Sequence, residues 1–450
     1  MAGLSTSSNR IKAGELFIAL PGEKHHGARF ALDAKDAGAI AILTVSECLD
    51  LASKSLRNFP IFVVENPRSR IGYLADWFHN SPSRALFLAG ITGTNGKTTT
   101  VELTESIFKA AGINAFACGN VGTPVIDAVT SEAKYDYLIL ELSSFQLHWS
   151  ETAEFVAGSI LNIALDHIDW HGSFTEYAKS KLDLLNRSVT AILNGDDAAV
   201  VEGSQHWQGR KVFYTLQTSK PGEIGLVEDL LVDRAFVADP MEAAMFCELN
   251  EVQPTAPHSV SNALAAAGLA RAIGIDNEVI RSAIKKFRPG RHRIELVLEQ
   301  NGIRWIDDSK ATNPHAAQAS VMSELSVVWI AGGLAKGAEM SELIAQVGSR
   351  LRAVVLIGTD RELIAHELQS NFPNVSIVRV DPKPSHDRSS ADNDFMNQIV
   401  TEAKHLAQSG DAVLLAPACA SMDQFLSYGD RGDRFAKSVR EIVGKNDNAR

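Results

Sequence analysis

The chain has 450 residues, which at roughly 100–200 residues per domain predicts two to four domains. Hydrophobic residues make up 45% and charged residues 22%, a composition that excludes a largely disordered or collagen-like protein. The net charge of −11 argues against nucleic-acid binding as the main function, because a phosphate backbone requires a basic surface. We therefore expect no nucleic-acid partner.

The four cysteines are scattered, and no two of them form a Cys-x-x-Cys pair. This pattern argues against a zinc ribbon, a redox motif or a disulfide scaffold, and it fits a reducing compartment. The N-terminal segment lacks the long apolar core of a signal peptide. No stretch approaches the ~20 apolar residues that a membrane span requires. We therefore expect a cytoplasmic protein without membrane insertion.

Short apolar runs of β type alternate with helical patterns through most of the chain. Continuous apolar strands separated by helices predict parallel sheets covered on both faces, which is an α/β fold. Two polar seams, Asn80–Ser83 and Arg288–Arg291, divide the chain into three α/β units at residues 1–84, 85–290 and 291–450. The predicted strands include Ala39–Val45, Pro60–Val64, Ala85–Ile91, Asp136–Leu140, Gly158–Ile163, Val327–Ile330, Ala353–Ile357 and Ala412–Leu415.

The most specific motif is a glycine-rich segment, GITGTNGKTTT, that runs from Gly90 to Thr100. It follows a predicted strand and leads into an amphipathic helix, so that backbone N–H groups and the helix N-terminus can hold phosphate oxygens. Lys97 is then expected to reach the β- and γ-phosphates, and Thr98 to bind Mg²⁺ through its hydroxyl. Because Ile91 stands where the standard pattern has glycine, the alternative is a merely glycine-rich turn. The order of strand, loop, Lys-Thr pair and helix favours the phosphate loop.

A lysine is predicted on the apolar side of a helix in the middle of the chain. The capping-box pattern Ser173–Glu176 predicts a helix that runs to about Leu185. At 3.6 residues per turn, Lys181 shares a face with Phe174, whereas Lys179 points the opposite way. An unpaired buried ammonium is costly, so Lys181 has either a function or a snorkelling side chain. Periodicity alone leaves both alternatives open.

Acidic and imidazole side chains follow two of the predicted strands. Glu141 comes directly after the strand Asp136–Leu140, at the edge where open α/β sheets bind ligands. Asn162 lies near the end of the next strand, and Asp166 and His167 follow it. Facing a phosphate loop, such groups predict a second Mg²⁺ site, although Asp and His after strands are also common turn formers.

The last unit has three polar segments that follow predicted strands, at residues 305–314, 332–336 and 417–421. Asn313 is the predicted N-cap of a helix with Pro314 in its first position. A second capping-box pattern predicts another helix start at Ser421. Since segments after parallel strands can converge, Ser421 and Lys336 together predict a seat for a substrate carboxylate. The alternative is a plain capped helix and a surface lysine.

Together these motifs resemble the Mur ligases, the ATP-dependent amide-bond-forming enzymes of peptidoglycan synthesis, over nearly all 450 residues. The resemblance implies a three-domain architecture with a central phosphate-loop ATPase domain and a C-terminal Rossmann-like domain that binds the amino acid. Within the family, four segments are most similar to the ligases that add D-glutamate to UDP-N-acetylmuramoyl-L-alanine, namely Gly119–Gly122, Glu141–Leu147, Asp307–Asn313 and Ala416–Phe425.

The first unit departs from that branch, whose members open with a glycine-rich Rossmann-like turn. The segment SNRIKAGELFIALPG, from Ser8 to Gly22, instead resembles the start of the ligases that add the third residue of the peptide. Residues 1–84 are therefore expected to bind the UDP end of the substrate in that second manner, with Ser8 as a candidate contact. The Asp-Asn-Pro-Arg segment of the enzymes for diamino acids is absent, which keeps D-glutamate as the expected amino acid.

The resemblance also implies an acyl-phosphate intermediate, ATP and Mg²⁺ as cofactors, and a monomer. The implied catalytic residues are Lys97, Glu141, His167 and a carbamylated Lys181, and the implied metal ligands are Thr98, Glu141, His167 and Lys181. The implied ATP contacts are Gly93, Thr94, Asn95, Gly96, Lys97, Thr98, Thr99, Asn262, Arg293 and Asp308. Asn120 is expected near the muramoyl substrate, and the implied D-glutamate contacts are Lys310, Thr312, Lys336, Ser421 and Tyr428.

Two alternatives to D-glutamate ligation stay open. A ligase adding the third peptide residue, or a folylpolyglutamate synthetase, would keep ATP and change the acceptor. A nucleotide-dependent binding or regulatory protein would keep the phosphate loop without ligation. The intact set of Glu141, His167 and Lys181 argues against this second alternative.

Overall fold

A computed structural model of the chain describes residues 1–22, 25–53, 56, 58–82, 86–239, 241–382 and 388–444. Three sheets follow one another along the chain, with four, nine and six strands. Within these ranges, no helix has both the length and the apolar character that crossing a membrane requires.

The first sheet is entirely parallel, with its strands in sequential order. Its strands are β1 (Gly3–Ser5), β2 (Glu15–Ile18), β3 (Ala41–Thr44) and β4 (Ile61–Val63), and its helices are α1 (Ala31–Asp36), α2 (Leu49–Ser53) and α3 (Pro67–Phe78). The strands predicted over Ala39–Val45 and Pro60–Val64 are confirmed as β3 and β4. Helix α3 begins after Asn66, whose side chain accepts a hydrogen bond from Ser69 N.

The central sheet has nine strands in the order β13-β12-β11-β10-β9-β8-β5-β7-β6. The strands are β5 (Phe87–Thr92), β6 (Ala115–Gly119), β7 (Tyr137–Glu141), β8 (Phe155–Ile160), β9 (Ser188–Asn194), β10 (Arg210–Thr218), β11 (Ile224–Val227), β12 (Leu230–Asp233) and β13 (Ala244–Glu248). The helices are α4 (Lys97–Ala110), α5 (Val125–Thr130), α6 (Ser144–Trp149), α7 (Ile168–His171), α8 (Phe174–Leu182), α9 (Ala198–Ser204), α10 (Pro257–Ala272) and α11 (Asn277–Lys286).

The expectation of purely parallel sheets is wrong at one edge of this central sheet. Strand β12 pairs antiparallel with both β11 and β13. The connection from β11 to β12 is only Glu228 and Asp229, and so short a loop can join only antiparallel strands. From β5 to β9 the pairing is parallel, as predicted.

The last sheet has the order β14-β15-β19-β16-β17-β18, and the pairing of β14 with β15 is antiparallel. Its strands are β14 (Glu295–Gln300), β15 (Ile303–Asp307), β16 (Val327–Gly332), β17 (Leu351–Ile357), β18 (Ser376–Arg379) and β19 (Ala412–Leu415). Its helices are α12 (Pro314–Met322), α13 (Ser341–Val347), α14 (Arg361–Asn371), α15 (Arg388–Leu406) and α16 (Tyr428–Ile442).

Strand β16 shows why an uninterrupted apolar run forms a central strand. All of its residues are buried. Val327 and Trp329 pack into the core on one face of the sheet, whereas Val328 and Ile330 pack into the core on the other face. Because successive side chains point to opposite faces, such a strand needs helices on both sides, as the sequence predicts.

Candidate active site

The phosphate loop and the acidic segments meet at one edge of the central sheet. Strand β5 lies between β8 and β7, so the carboxyl ends of these three parallel strands are adjacent. The loop before α4 follows β5, Glu141 is the last residue of β7, and Asp166 and His167 follow β8. The prediction that these groups lie after neighbouring strands is confirmed.

The irregularity of the glycine motif has a structural explanation. Ile91 is fully buried within β5, so the position where the standard pattern has glycine belongs here to the strand and not to the turn. The turn itself occupies residues 93–96, and α4 begins at Lys97. Gly96 has a φ of +81°, and a Cβ atom there would collide with Oδ1 of Asn262. Only glycine therefore fits between the loop and α10.

Two lysine ammonium groups converge on one carbonyl oxygen of this loop. Lys97 Nζ donates to Gly93 O at 2.7 Å and to Thr94 O at 2.9 Å. Lys181 Nζ donates to the same Gly93 O at 2.9 Å. Burial lowers the pKa of Lys97. Burial, together with the positive charge of Lys97, places the pKa of Lys181 well below its ordinary value. The site thus concentrates positive charge where an anionic ligand would relieve it.

Helix α8 places Lys181 inside the protein, as the helix-face argument predicts. Lys181 is 2% exposed, whereas Lys179 is exposed. Lys181 Nζ also lies 4.7 Å from the ring centre of Tyr177. The predicted helix is too long, since α8 ends at Leu182. Phe174 was expected on the buried stripe but is 37% exposed, because the buried face of this short helix is centred on Tyr177 and Ser180.

Glu141 is buried, and one of its two carboxylate oxygens accepts a hydrogen bond. Its Oε1 accepts a hydrogen bond from Asn120 Nδ2 at 3.1 Å. Its Oε2 is buried without a hydrogen-bond partner among the described residues. The His167 side chain is 46% exposed and lies 3.6 Å from Asp166 through Nε2 and Oδ2. A buried carboxylate oxygen without a donor suits a cation, and oxygen ligands are those that Mg²⁺ prefers.

A cavity of about 590 Å³ joins the central unit to the last one. It is lined by most of the predicted site residues, namely Thr94, Asn95, Gly96, Lys97, Thr98, Thr99, Asn120, Glu141, His167, Asn262, Arg293, Asp308, Lys310 and Thr312. Gly93, which is the first residue of the turn, and Lys181 are not among the residues that line this cavity, and Lys181 Nζ donates to Gly93 O. Burial raises the pKa of Asp308 to about 7, and Ser320 donates a hydrogen bond to this carboxyl group.

The cavity also contains residues that were not among the expected ligand contacts. These are Asn162, Asp197, His258, Ser259, Asn313 and His315. Of these, His258 and Ser259 belong to a segment that resembles the family's His-Asn-x-x-Asn nucleotide element with one change. Asn162 and Asn313 had signals that could have assigned them, because Asn162 lies near the end of a predicted strand and Asn313 in a polar segment that follows one. His258 is half-buried, and desolvation lowers the pKa of its imidazole to about 4, so this ring stays neutral near pH 7.

Three loops of the last sheet lie side by side through backbone hydrogen bonds. Leu334 and Ala420 exchange two bonds of 2.9 Å, and Gly332 N donates to Pro417 O at 2.8 Å. Ala418 N donates to Ala311 O at 3.0 Å. The loops after β15, β16 and β19 are therefore fixed to one another, as the strand-end rule predicts.

The predicted residues on these loops differ in their surroundings. Lys336 is exposed and Ser421 is buried, and neither lines the 590 Å³ cavity. Lys310 Nζ lies 3.9 Å from the ring centre of Tyr428, which places this cation on an aromatic face. In the first unit, Ser8 lies in a short 3₁₀ helix and lines neither this cavity nor a second one described below.

The prediction that a helix begins at Ser421 is wrong. Ser421 O accepts hydrogen bonds from Gln424 N and Phe425 N, which makes a single turn that does not continue. The helix begins instead at Tyr428, where Ser427 Oγ accepts from Asp430 N at 3.1 Å. Ser427 has extended backbone angles, and this interrupts the chain between the two capping signals. A helix dipole at Ser421 therefore does not contribute to a carboxylate seat.

One tight group of potential metal ligands occurs among the described residues, and it is not the predicted one. His292, Glu295 and Asp307 have ligand atoms within 4.8 Å of one another. His292 Nδ1 and Asp307 Oδ2 are 2.7 Å apart, and this hydrogen bond raises the pKa of His292. Asp307 Oδ1 accepts from Ser309 N at 2.9 Å. The group is thus satisfied internally and ties the start of the last unit to the loop after β15.

Comparison with solved structures shows the fold over nearly the whole chain. The MurF ligase of Thermotoga maritima, in complex with ADP, has a TM-score of 0.66 at 18% identity, over 97% of this chain and 98% of that one. MurF of Acinetobacter baumannii has a TM-score of 0.67 at 18% identity, over 92% and 90% of the two chains. The three-domain architecture is therefore that of these ligases.

Sequence comparison identifies the family. Residues 91–270 match the Mur ligase middle domain, and residues 292–419 match the Mur ligase, glutamate ligase domain. The UDP-N-acetylmuramoylalanine–D-glutamate ligase of Streptomyces coelicolor is 48% identical over 358 residues, covering 78% of this chain and 74% of that protein. The enzyme of the same name from Thermobifida fusca is 48% identical over 369 residues, covering 81% and 77%. Because both domain models and these relatives match most of its length, the chain belongs to the Mur ligase family.

Proposed function

We propose that this chain is an ATP-dependent ligase that adds D-glutamate to UDP-N-acetylmuramoyl-L-alanine in peptidoglycan precursor synthesis. The observation that carries the proposal is the 48% identity to enzymes of that name over most of both chains. It is supported by the cavity, where the phosphate loop of the central domain faces the Lys310 and Thr312 loop of the last domain.

The nucleotide is assigned to the phosphate loop. The free N–H groups at the start of α4, with Lys97, are suited to the phosphates of ATP. Asn262, Arg293 and Asp308 face the same cavity from α10 and the last domain and are assigned to the rest of the nucleotide. Because the carboxylate and the triphosphate repel each other, Lys97 must compensate the negative charge as they approach.

We assign Mg²⁺ to Thr98, Glu141, His167 and Lys181. The free Oε2 of Glu141 fits a cation, but the ammonium of Lys181 does not, because it carries the same sign of charge. The set fits Mg²⁺ once Lys181 is carbamylated, since a carbamate offers anionic oxygen. Bound there, the ion would supply positive charge to the phosphoryl group and its attacking carboxylate.

The reaction divides into two steps between the two domains. The carboxylate oxygen of the muramoyl-alanine, which Asn120 is assigned to position, attacks the γ-phosphorus of ATP, and ADP leaves. The amine of D-glutamate then attacks the acyl carbon, phosphate leaves, and the nitrogen loses a proton. Lys310, Thr312, Lys336, Ser421 and Tyr428 are assigned to D-glutamate, so the last domain determines which amine reaches the acyl phosphate.

We predict selectivity for D-glutamate over basic amino acids. A site with Lys336 and Lys310 should reject the second ammonium of a diamino acid through like-charge repulsion. The test is ADP release with UDP-N-acetylmuramoyl-L-alanine and single amino acids. D-glutamate should support turnover, whereas meso-diaminopimelate and L-lysine should not. A preference for either diamino acid would overturn the assignment in favour of a third-residue ligase. Nucleotide binding without release of ADP would favour a binding protein.

We assign the UDP end of the substrate to residues 1–84. The assignment is supported by a second cavity, of about 930 Å³, between α3 and the central domain. It is lined by Leu20, Arg68 and Tyr73 from the first domain and by Phe145 and Trp149 from the central one. Arg68, which donates a hydrogen bond to Pro21 O, and the aromatic side chains line one cavity, and such a combination suits a diphosphate next to a base.

Arg68→Ala should raise the KM for the UDP substrate about tenfold, the loss typical of one charged hydrogen bond, and leave the KM for ATP unchanged. Arg70→Ala on the same helix is the matched control, because Arg70 is exposed and lines neither cavity. A substrate-bound structure whose uracil contacts nothing in residues 1–84 would contradict the assignment.

A further inference from the structure

A direct hydrogen bond joins the phosphate loop to the last domain. Asn313 Nδ2 donates to Asn95 Oδ1 at 3.0 Å, across a separation of 218 residues. Asn95 lies in the turn between β5 and α4, and Asn313 is the N-cap of α12. Both side chains line the 590 Å³ cavity, so the contact lies beside the reacting groups.

Each partner is held by further hydrogen bonds that fix its orientation. Asn313 Oδ1 accepts from Ala316 N at 2.9 Å as the cap of α12, which leaves its Nδ2 directed at Asn95. Asn95 N donates to Asn162 Oδ1 at 2.8 Å, and Asn162 Nδ2 donates to Asn95 O at 3.1 Å. Three amides thus form a continuous chain from the end of β8, through the phosphate loop, to the start of α12.

The loop that ends at Asn313 carries residues assigned to D-glutamate. Lys310 and Thr312 lie within three positions of Asn313. At the other end of the loop, Asp307 is bound to His292 and to Ser309 N. The loop is therefore held within the last domain at its start and, through Ala418 N and Ala311 O, in its middle. Its end is bonded to the phosphate loop, so the Asn95–Asn313 bond sets how this loop and the last domain lie against the phosphate loop.

We propose that Asn95 and Asn313 are positioning residues that set the last domain against the phosphate loop for attack of the amine on the acyl phosphate. The proposal rests on the proposed function. Its physical basis is that the two reactants are held by different domains, and a misplacement of about 1 Å can cost on the order of 10² in rate. A hydrogen bond between the phosphate loop and the loop that ends at Asn313 restricts the relative movement of the two reactants before the amine reacts.

The test uses Asn313→Ser in the full-length chain. Serine retains an oxygen that can cap α12, but its side chain is too short to reach Asn95. The kcat/KM for D-glutamate should fall about tenfold, as expected for a small misplacement. The rate of acyl-phosphate formation, followed as a single turnover of ADP release without D-glutamate, should fall less. The thermal midpoint should stay close to wild type, whereas Asn313→Ala should also lose the cap and unfold at a lower temperature.

A double-substitution cycle tests the coupling itself. Asn95→Ala removes the acceptor, and its effect on kcat/KM for D-glutamate should resemble that of Asn313→Ser. The double variant Asn95→Ala/Asn313→Ser should have a kcat/KM for D-glutamate no lower than that of the poorer single variant, because each substitution removes the same hydrogen bond. The proposal would be overturned if the two single losses in kcat/KM multiplied in the double variant, or if Asn313→Ser kept the wild-type kcat/KM. The proposal would also be overturned if Asn313→Ser slowed acyl-phosphate formation and amine attack equally and also lowered the thermal midpoint. If the wild-type chain released no ADP with D-glutamate, the proposed function would fail independently of this contact.

Discussion

Lys181→Ala should be nearly inactive in D-glutamate ligation, and added acetate should restore part of the activity. The structure places this lysine 2% exposed, against Gly93 O and close to a second cation, Lys97. A buried ammonium in these surroundings is costly unless it is neutralised or modified. Acetate would restore activity by placing a carboxylate in the space that the Lys181 side chain leaves at the phosphate loop.

The chemistry of carbamylation agrees with this location. An ordinary lysine with a pKa of ~10.4 is neutral in only about one molecule in 2,500 at pH 7, and CO₂ reacts with the neutral amine. Because burial places the pKa of Lys181 well below that range, the reactive form is far more abundant here. The product replaces a positive head with an anionic oxygen ligand, which converts an unfavourable buried charge into a partner for Mg²⁺.

The matched control lies two residues away on the same helix. Lys179 is exposed on the opposite face of α8, so Lys179→Ala should ligate like wild type. Mass spectrometry of the native protein should detect a labile 44 Da adduct (CO₂) that Lys181→Ala lacks. Full activity of Lys181→Ala, or an essential Lys179, would refute both the helix-face argument and the metal assignment.

Lys97→Ala should abolish measurable acyl-phosphate formation in a protein that remains folded. The ammonium compensates charge that develops on the transferred phosphoryl group, and loss of one such contact typically costs ~10²–10³ in rate. Removing it should not destabilise the fold, because it relieves repulsion from Lys181 at Gly93 O. ADP release in the absence of D-glutamate measures the step, and circular dichroism checks the fold.

Lys109 provides the comparison for this variant, since it lies on the same helix α4. Its side chain is 52% exposed and pairs with Glu105 at 2.8 Å, one helical turn away. Exposed pairs of this kind contribute little to stability, so Lys109→Ala should retain both the fold and the rate of ADP release. Near wild-type turnover in Lys97→Ala would show that the glycine-rich turn is not a phosphate loop.

The features that the sequence predicted well are those with a local pattern. Seven strands appear close to their predicted bounds because buried parallel strands read as uninterrupted apolar runs. The eighth, predicted over Gly158–Ile163, is wrong by three residues at each end, since β8 spans Phe155–Ile160. The clustering of the phosphate loop with Glu141 and His167 was predictable because adjacent parallel strands end at one edge. The burial of Lys181 was predictable from helix periodicity. One hairpin signal was overlooked, since Asn301-Gly302 between β14 and β15 has both φ angles positive, as a two-residue turn requires.

The features that escaped prediction depend on distant parts of the chain. The contact of Asn95 with Asn313 spans 218 residues, and no spacing in the sequence encodes it. The false helix start at Ser421 shows the reverse problem. Its capping pattern is locally sound, but the cap at Ser427 and the packing of Arg431 against Ser309 begin the helix six residues later.

The backbone pairing of the loops after β15, β16 and β19 has a consequence for how amino-acid selectivity can change. Bonds such as Leu334–Ala420 and Gly332–Pro417 involve only main-chain atoms, but they require glycine at 332 and 333, where a Cβ atom would collide with Ile357 O and Ala420 O. The loops assigned to D-glutamate thus share a fixed backbone that constrains these glycines and leaves the other side chains free to vary. We expect selectivity to change by replacement of single side chains on this backbone, without insertions. This is a physical reason why ligases only 16–18% identical to this chain keep the same architecture.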